Sequence, residues 1–170
     1  MANTITCIAF LRAVNVGGTG KLPMAELREM ATEIGFQNPR THIASGNLIF
    51  ETDGSIDDAG AALEARLQSY AGKPVGVIMR TPADLDELIG SAPFGDVPGN
   101  KLIVLLLDTE ADAQTAADVK NQTTELIRPG PKCLYIHYPD GQGRSRLSLA
   151  AAVNGTARNM NTLKKVRDMC

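Results

Sequence analysis

The chain has 170 residues, a formal net charge of -2 and three cysteines, and this length is enough to bury a substantial core without covalent staples. An odd number of widely spaced cysteines with no C-x-x-C pair argues against a disulfide framework and favours a reducing compartment. Because no apolar run approaches the roughly 18 residues of a membrane span, and the N-terminus does not resemble a signal peptide, we expect a cytoplasmic protein with no membrane partner.

The first half of the chain predicts the element order β-α-β-β-α-β, which is typical of the ferredoxin-like fold. The strands are short apolar runs rich in β-branched residues, and the helices have apolar residues at helical spacing. In order, the predicted elements are a strand over residues 4–11, a helix over 23–34, strands over 40–44 and 48–50, a helix from 56 and a strand over 74–79.

The second half predicts the order β-α-β-β-α-α. A short helix after Thr81 and a hinge rich in proline and glycine over residues 91–100 precede it. Its predicted elements are a strand over 101–107, a helix over 109–120, strands over 125–128 and 133–138, a helix through 147–151 and a helix over 161–169. We therefore expect an α+β protein of two ferredoxin-like (α/β-plait) halves with antiparallel sheets, divided into residues 1–80, 81–100 and 101–170.

The charges are distributed unevenly along the chain. Residues 1–119 carry 8 basic and 16 acidic side chains, whereas residues 120–170 carry 9 basic and 3 acidic ones. Such an asymmetry indicates an anionic partner for the basic part. The alternative is that the acidic side chains only form solvated helix faces.

Two glycine-rich segments each lie between a predicted strand and a predicted helix start. Glycine lets the backbone approach a ligand closely, and the free N–H groups of a helix start attract anions. The first segment contains Gly17 and Gly18, and the second contains Gly141 and Gly143, followed by Arg144. Neither fits the Walker pattern or the dinucleotide-binding pattern, so each indicates either an anion contact or an ordinary turn.

Residues typical of catalysis are sparse. His42 and His137 lie far apart on separate predicted strands, and two histidines alone do not complete a zinc site. Ser45 stands in a tight turn without the G-x-S-x-G elbow of a nucleophilic serine. We therefore assign no catalytic residue, no metal and no cofactor, and the sequence leaves open whether the protein is an enzyme.

Six motifs occur in order along almost the whole chain. They are LRAVNVGG from Leu11, KLPM from Lys21, Gly35-Phe36, Ser45-Gly46-Asn47, GQGRS from Gly141 and ARNMNT from Ala157. Together they resemble the uncharacterised bacterial family catalogued as domain of unknown function 1697. The resemblance implies two ferredoxin-like halves and no established activity. One departure is Met160, since the family usually has Trp at this place.

The recurring polar residues of these motifs fall at turns and strand ends, where ligand contacts are more common than scaffold roles. With the glycines of the two loops, the candidate ligand-binding residues are Arg12, Asn15, Gly17, Gly18, Ser45, Asn47, Gly141, Gly143, Arg144, Ser145, Arg158, Asn159 and Asn161. The arginines would neutralise charge, the glycines would supply backbone donors, and the asparagines would orient the ligand.

Three hypotheses follow from the sequence. The first is that the protein binds a small phosphate- or nucleotide-like anion in one composite cleft. The second is a nucleic-acid-binding plait, for which Tyr135 and Tyr138 are the candidate stacking residues, on opposite faces of their strand. The third is that the polar turns are purely structural, at the interface of the two halves. The oligomeric state is not indicated.

Overall fold

A computed structural model describes residues 3–15 and 21–170 of the chain. It has a mixed α/β architecture with two four-stranded antiparallel sheets. The chain divides into two compact units, the first comprising Met1–Ala83 with Met169–Cys170 and the second comprising Asp84–Asp168. The three-part division into residues 1–80, 81–100 and 101–170 stays a prediction. Within the described residues, no helix is both long enough and apolar enough to cross a membrane.

The first unit has the element order expected from the sequence. Its elements are β1 (Ile5–Leu11), α1 (Met24–Glu33), β2 (Gln37–Thr41), β3 (Asn47–Thr52), α2 (Ile56–Ala71) and β4 (Val77–Arg80). The strand order in the sheet is β2-β3-β1-β4, and every neighbouring pair is antiparallel. β1 therefore lies in the interior of the sheet, between β3 and β4.

One face of this sheet packs against both helices. Cys7, Ala9 and Leu11 alternate along β1 and lie in the same core cluster as Leu63 and Leu67 of α2. Burial raises the pKa of the Cys7 thiol, so this cysteine behaves as a small core side chain, as the sequence predicts.

The hairpin of β2 and β3 starts earlier than predicted. The strand predicted over residues 40–44 is β2 at Gln37–Thr41. Ile43 has a φ of 53° and is 51% exposed, so it belongs to the turn. A positive φ is unusual for a β-branched residue. The spacing of apolar residues, which predicts helices and strands, does not predict such a turn conformation.

The remaining elements lie in the second unit, except that the first two residues of α3 fall within the first unit. They are α3 (Pro82–Gly90), β5 (Leu102–Leu106), α4 (Ala113–Ala117), β6 (Val119–Lys120), β7 (Leu126–Gly130), β8 (Cys133–His137), β9 (Ser148–Leu149), β10 (Thr156–Asn159) and α5 (Met160–Asp168). The larger sheet has the order β10-β5-β8-β7, and β6 pairs with β9 in a two-stranded sheet. One-turn 3-10 helices occupy Gln142–Arg144 and Ala150–Val153.

The helix predicted through residues 147–151 is wrong. Ser148 and Leu149 form β9 and pair with β6, and a 3-10 helix follows. The run of leucine and alanine has high helix propensity, but tertiary pairing overrides that preference. Gly155 ends the segment in close contact with β5, because a Cβ there would lie 2.8 Å from the backbone oxygen of Leu106.

The helix predicted over residues 109–120 is much shorter. Asp112 and Thr115 form a capping box, in which the Thr115 N–H donates to Asp112 Oδ1 at 2.8 Å, and this sets the start of α4. β6 then replaces its predicted last turn. The strand β10 has no counterpart among the predicted elements. With β10 present, the second unit has four main strands, as the first unit does.

Candidate functional site

A pocket of about 170 Å³ opens in the first unit beside the end of β1. Arg12, Lys21 and Lys73 contribute three basic side chains to its lining, and Leu67 and Val75 contribute apolar surface. Arg12 is the only one of the three basic residues that the sequence-based site included. The pocket therefore combines positive charge with a partly apolar wall, which suits an organic anion.

Arg12 reaches the pocket because of a glycine on the neighbouring strand segment. Its backbone N–H donates to the carbonyl oxygen of Gly76 at 2.9 Å, and its side chain crosses the same residue. A Cβ at Gly76 would lie 2.9 Å from Arg12 Cδ, so any larger residue would displace the arginine. Sequence analysis gave no signal for this role of Gly76.

Asn15 closes the segment that follows β1. Its Oδ1 accepts the N–H of Leu22 at 2.7 Å, and its Nδ2 donates to the carbonyl oxygen of Leu22 at 2.8 Å. The same Nδ2 donates to the carbonyl oxygen of Ala44 at 2.8 Å. The amide thus pairs with a residue seven positions later as a backbone peptide would. This geometry favours a positioning role, and ligand contact by Asn15 stays a prediction.

The turn Ser45-Gly46-Asn47 packs against the end of β1. Asn47 is fully buried, and its Nδ2 donates to the carbonyl oxygen of His42 at 2.8 Å and to Ser45 Oγ at 3.1 Å. The N–H of Leu11 donates to the carbonyl oxygen of Gly46 at 2.9 Å. These contacts hold the hairpin to β1, so Ser45 and Asn47 lie near the pocket's elements without being part of its lining. Their ligand-binding role stays a prediction.

Tyr70 lines the same pocket and was missed in the sequence. It lies in the last turn of α2, is 42% exposed, and its hydroxyl donates to Glu26 on α1. This hydrogen bond is the main cause that raises the pKa of Tyr70. A tyrosine on the outer face of a helix carries no motif, so only the fold brings it to the site. Gly17 and Gly18, which were predicted here, lie outside the described residues.

A second pocket, of about 160 Å³, lies in the second unit. It is lined by Gly141, Arg144 and Ser145, as the sequence groups them, and also by Glu125 and Asp140. Two carboxylates beside one guanidinium give this pocket mixed charge. A simple anion would therefore meet less positive charge here than in the pocket of the first unit.

Glu125 holds the loop of the second pocket in place. Ser145 Oγ donates to Glu125 Oε1 at 2.6 Å, and the N–H of Thr123 donates to Oε2 at 2.6 Å. These bonds, led by that of Ser145, lower the pKa of Glu125 to about 2. A carboxylate with so low a pKa is a weak base, so the pair does not activate Ser145 as a nucleophile. Ser145 anchors the loop.

Arg158 lies on β10 and is 7% exposed. Its Nη1 donates to Thr156 Oγ1 at 2.8 Å and to the carbonyl oxygen of Ala157 at 2.9 Å, and burial lowers its pKa to about 10. Arg80 on β4 is similarly buried and donates to the carbonyl oxygen of the residue before it at 2.9 Å. Both arginines lie on the fourth main strand of their sheets, and ligand binding by Arg158 stays a prediction.

Asn159 and Asn161 lie at the start of α5. Asn159 Oδ1 accepts the N–H of Thr162 at 2.8 Å, which is the contact of a helix N-cap. Asn161 lies against Gly99, where a Cβ would be 2.0 Å from Asn161 Oδ1. Met160, the first residue of α5, is buried.

The predicted site residues thus form three groups. Arg12, Asn15, Ser45 and Asn47 gather around the end of β1, and residues 158–161 lie at the junction of β10 and α5. Gly141, Arg144 and Ser145 line the second pocket, whereas Gly143, in the 3-10 helix beside it, is not among the lining residues. The convergence of the three groups in one composite cleft stays a prediction. Among residues 3–15 and 21–170, no three His, Cys, Asp or Glu side chains are grouped to hold a metal ion.

The two tyrosines considered for base stacking are buried. Tyr135 is 1% exposed and Tyr138 is 5% exposed, and the Tyr135 hydroxyl donates to the carbonyl oxygen of Leu88. Neither ring offers the exposed face that single-stranded nucleic acid requires.

The family model described as Protein of unknown function (DUF1697) matches residues 5–135. The chain belongs to this family. The resemblance seen in the sequence is thereby confirmed. The matched range includes all the residues that line the pocket beside β1, but it ends before the glycine-rich loop at Gly141. The family match therefore covers the pocket of the first unit and does not cover that loop of the second pocket.

A solved structure has the same overall fold. The conserved bacterial protein SP0830 from Streptococcus pneumoniae is similar to this chain with a TM-score of 0.79 and 19% sequence identity, over 98% of this chain and 99% of that chain. At this identity the likeness concerns the fold alone. No curated protein matches the chain.

Proposed function

We propose that the protein binds a small anionic ligand, phosphate- or nucleotide-like, in the pocket beside β1. The observation that carries the proposal is the convergence of Arg12, Lys21 and Lys73 on one concave surface. No acidic side chain is among the described residues that line it, whereas the second pocket includes two. The positive charge is thus concentrated in the pocket of the first unit.

The apolar wall of the pocket supports an organic anion over a bare inorganic one. Leu22 and Leu67 are almost fully buried at the base of the lining, and Val75 is partly buried. A ligand that covers this wall gains from burial of apolar surface as well as from charge–charge contacts. The proposal names no reaction, because none of the described residues that line the pocket is a serine, threonine, cysteine or histidine.

The experiment is calorimetry at low salt with a panel of phosphate esters, on the wild type and on the double variant Lys21→Ala/Lys73→Ala. Both lysines are exposed, so the fold is expected to tolerate their loss. Each hydrogen bond to a charged group contributes roughly 1.5–3 kcal/mol, so the double variant is expected to bind at least about tenfold more weakly.

The matched control is Lys164→Ala/Lys165→Ala, which changes the net charge equally on the exposed face of α5. It is expected to bind as the wild type does. Equal losses in both double variants would mean that only net charge matters, and absence of binding by the wild type to every phosphate ester would refute the proposed function.

We further propose that each half is a ferredoxin-like (α/β-plait) unit and that the protein acts in the cytoplasm. The fold proposal is supported by the strand orders β4-β1-β3-β2 and β10-β5-β8-β7. In each unit the four main strands, counted along the chain, lie side by side in the order fourth, first, third and second. In this arrangement the pocket lies at the end of the first strand of the first plait. The division can be tested by expressing the two units separately and measuring whether each one unfolds cooperatively.

The structural hypothesis fits part of the predicted site better than ligand binding does. Asn15, Asn47, Ser145 and Asn159 each use their side chains in hydrogen bonds within the chain. We therefore propose that these four residues support turns and caps, while the basic side chains of the first pocket contact the ligand. Substitution of Asn159 is then expected to change stability without changing ligand affinity.

A further inference from the structure

We propose that Tyr70 selects, for the pocket beside β1, a phosphomonoester that carries a flat ring, and that this ring stacks on the tyrosine. The proposal rests on the proposed function, because it assumes that the basic side chains of the same pocket bind the phosphate. It adds the chemical class of the rest of the ligand and names the residue that recognises it.

Tyr70 is placed at the rim of the pocket. It follows Leu67 by three positions on α2, so both side chains lie on the same side of the helix. Leu67 is 1% exposed and belongs to the floor, whereas Tyr70 is 42% exposed. It is the one exposed large aromatic side chain among the described residues. A ring left in water at the rim of a pocket is available for contact with a ligand.

The hydrogen bond to Glu26 fixes the orientation of the ring. Because the hydroxyl is already donated to a carboxylate on a different helix, the ring face is what remains for recognition. The ring is therefore preorganised, and a ligand that stacks on it does not have to pay for its ordering.

The size of the pocket fits a phosphate with a short apolar spacer against the wall of Leu22 and Leu67, and the ring would lie outside. A volume of about 170 Å³ is below the roughly 300–1,000 Å³ of sites that enclose a whole drug-sized ligand. Lys21 and Lys73 on the lining provide the positive charge for the phosphate. A flat ring joined to that phosphate by a short spacer would leave the pocket at the rim, where Tyr70 lies.

Two kinds of phosphomonoester share this chemistry, a nucleoside monophosphate and a small aryl phosphate. The test measures the affinity of the wild type for inorganic phosphate, ribose 5-phosphate, phenyl phosphate and adenosine 5′-monophosphate by calorimetry. Stacking of one ring on an aromatic side chain is expected to make a ring-bearing ester bind roughly tenfold more tightly than ribose 5-phosphate. Tighter binding of only one ring-bearing ester supports the proposal and identifies its source.

Two variants separate the ring from the hydroxyl. Tyr70→Leu keeps apolar bulk but removes the ring, so it is expected to bind all four compounds without the tenfold preference. Tyr70→Phe keeps the ring and loses the bond to Glu26, so most of the preference is expected to remain. An NMR measurement of the Tyr70 ring protons gives a second readout, because a stacked ring shifts them upfield and ribose 5-phosphate does not.

The outcomes distinguish the two proposals. If the wild type binds phosphate esters with no preference for a ring, or if Tyr70→Leu keeps the preference, the role of Tyr70 is overturned and anion binding stands. If no phosphate compound binds the wild type, both proposals fall. A preference that is lost in Tyr70→Leu, with the affinity for inorganic phosphate unchanged, is the expected result.

Discussion

Substitution of Gly46 by alanine is expected to destabilise the first unit more than the same change at Gly35, Gly54 or Gly72, the other turn glycines that the structure describes in that unit. Gly46 has a φ of 88°, and a Cβ there would lie 2.8 Å from Val14 Cγ2 and 2.9 Å from Leu11 Cβ. The left-handed conformation costs an alanine roughly 1–2 kcal/mol, and overpacking of a buried contact adds roughly 1–3 kcal/mol. The expected loss is therefore about 2–5 kcal/mol.

Gly72→Ala is the matched control. Gly72 also has a positive φ, of 70°, but nothing lies within 4 Å of an added Cβ. It is expected to lose only the conformational part, roughly 1–2 kcal/mol. Urea unfolding of both variants, followed by circular dichroism, measures the two losses within the same unit. If Gly46→Ala loses no more free energy of unfolding than Gly72→Ala, the close contact with β1 does not limit the turn and the reasoning is refuted.

Three further predictions concern the second unit. Arg158→Ala removes the buried hydrogen bonds that its guanidinium donates to the Thr156 hydroxyl and the Ala157 carbonyl, and is expected to cost about 2–3 kcal/mol of unfolding free energy. Arg144→Ala, on an exposed side chain, is expected to stay within about 0.5 kcal/mol, and equal losses would argue against a structural role for Arg158. The pKa of Glu125 is lowered from 4.5 to about 2 in the folded protein, so the stability it contributes is present above its ordinary pKa and is lost as the pH falls from 4.5 towards 2. Urea midpoints measured across this range are expected to fall less steeply in Glu125→Gln than in the wild type, and identical slopes would contradict the assignment. Asn159→Ala removes the N-cap of α5 and is expected to cost about 1 kcal/mol, while Asn159→Asp retains the cap; thermal unfolding compares the two, and a similar loss in both would show that the cap contributes little.

The elements with local start signals could be predicted from the sequence. Ser55 accepts the N–H of Asp58 at 3.1 Å and begins α2 where the capping pattern places it. Pro82 is the first residue of α3, also as predicted. Such signals depend on residues a few positions apart, so the sequence contains all of the information that decides them.

The elements that depend on distant pairing could not be predicted. β10 has the sequence Thr-Ala-Arg-Asn, with neither an apolar run nor a clear alternation, and it is a strand because it pairs with β5, where Arg158 lies opposite Val104. Ser148 and Leu149 are in a segment with helical propensity and become a strand through β6. Here tertiary contacts decide against local preference.

The candidate site was predicted in part for the same reason. Arg12 follows a clear strand and was predicted as a site residue. Tyr70 lies in the last turn of α2 and Lys73 lies two residues after that helix, and neither belongs to a sequence motif. Gly76 was missed because its importance is the room it leaves for the side chain of Arg12. A pocket is made of residues that the fold brings together, and the motifs located only the strand end at which it forms.

The pairing of Asn15 with Leu22 has a consequence for how this part of the chain can vary. Two hydrogen bonds hold the Asn15 amide to Leu22, across six intervening positions, and a third holds it to the carbonyl oxygen of Ala44. Because the entropy of closing a loop grows only slowly with its length, residues could be inserted between Asn15 and Leu22 at little cost to the rest of the unit. A designer who wished to alter ligand preference would therefore insert new sequence between Asn15 and Lys21, and would leave Asn15, Lys21 and Leu22 unchanged.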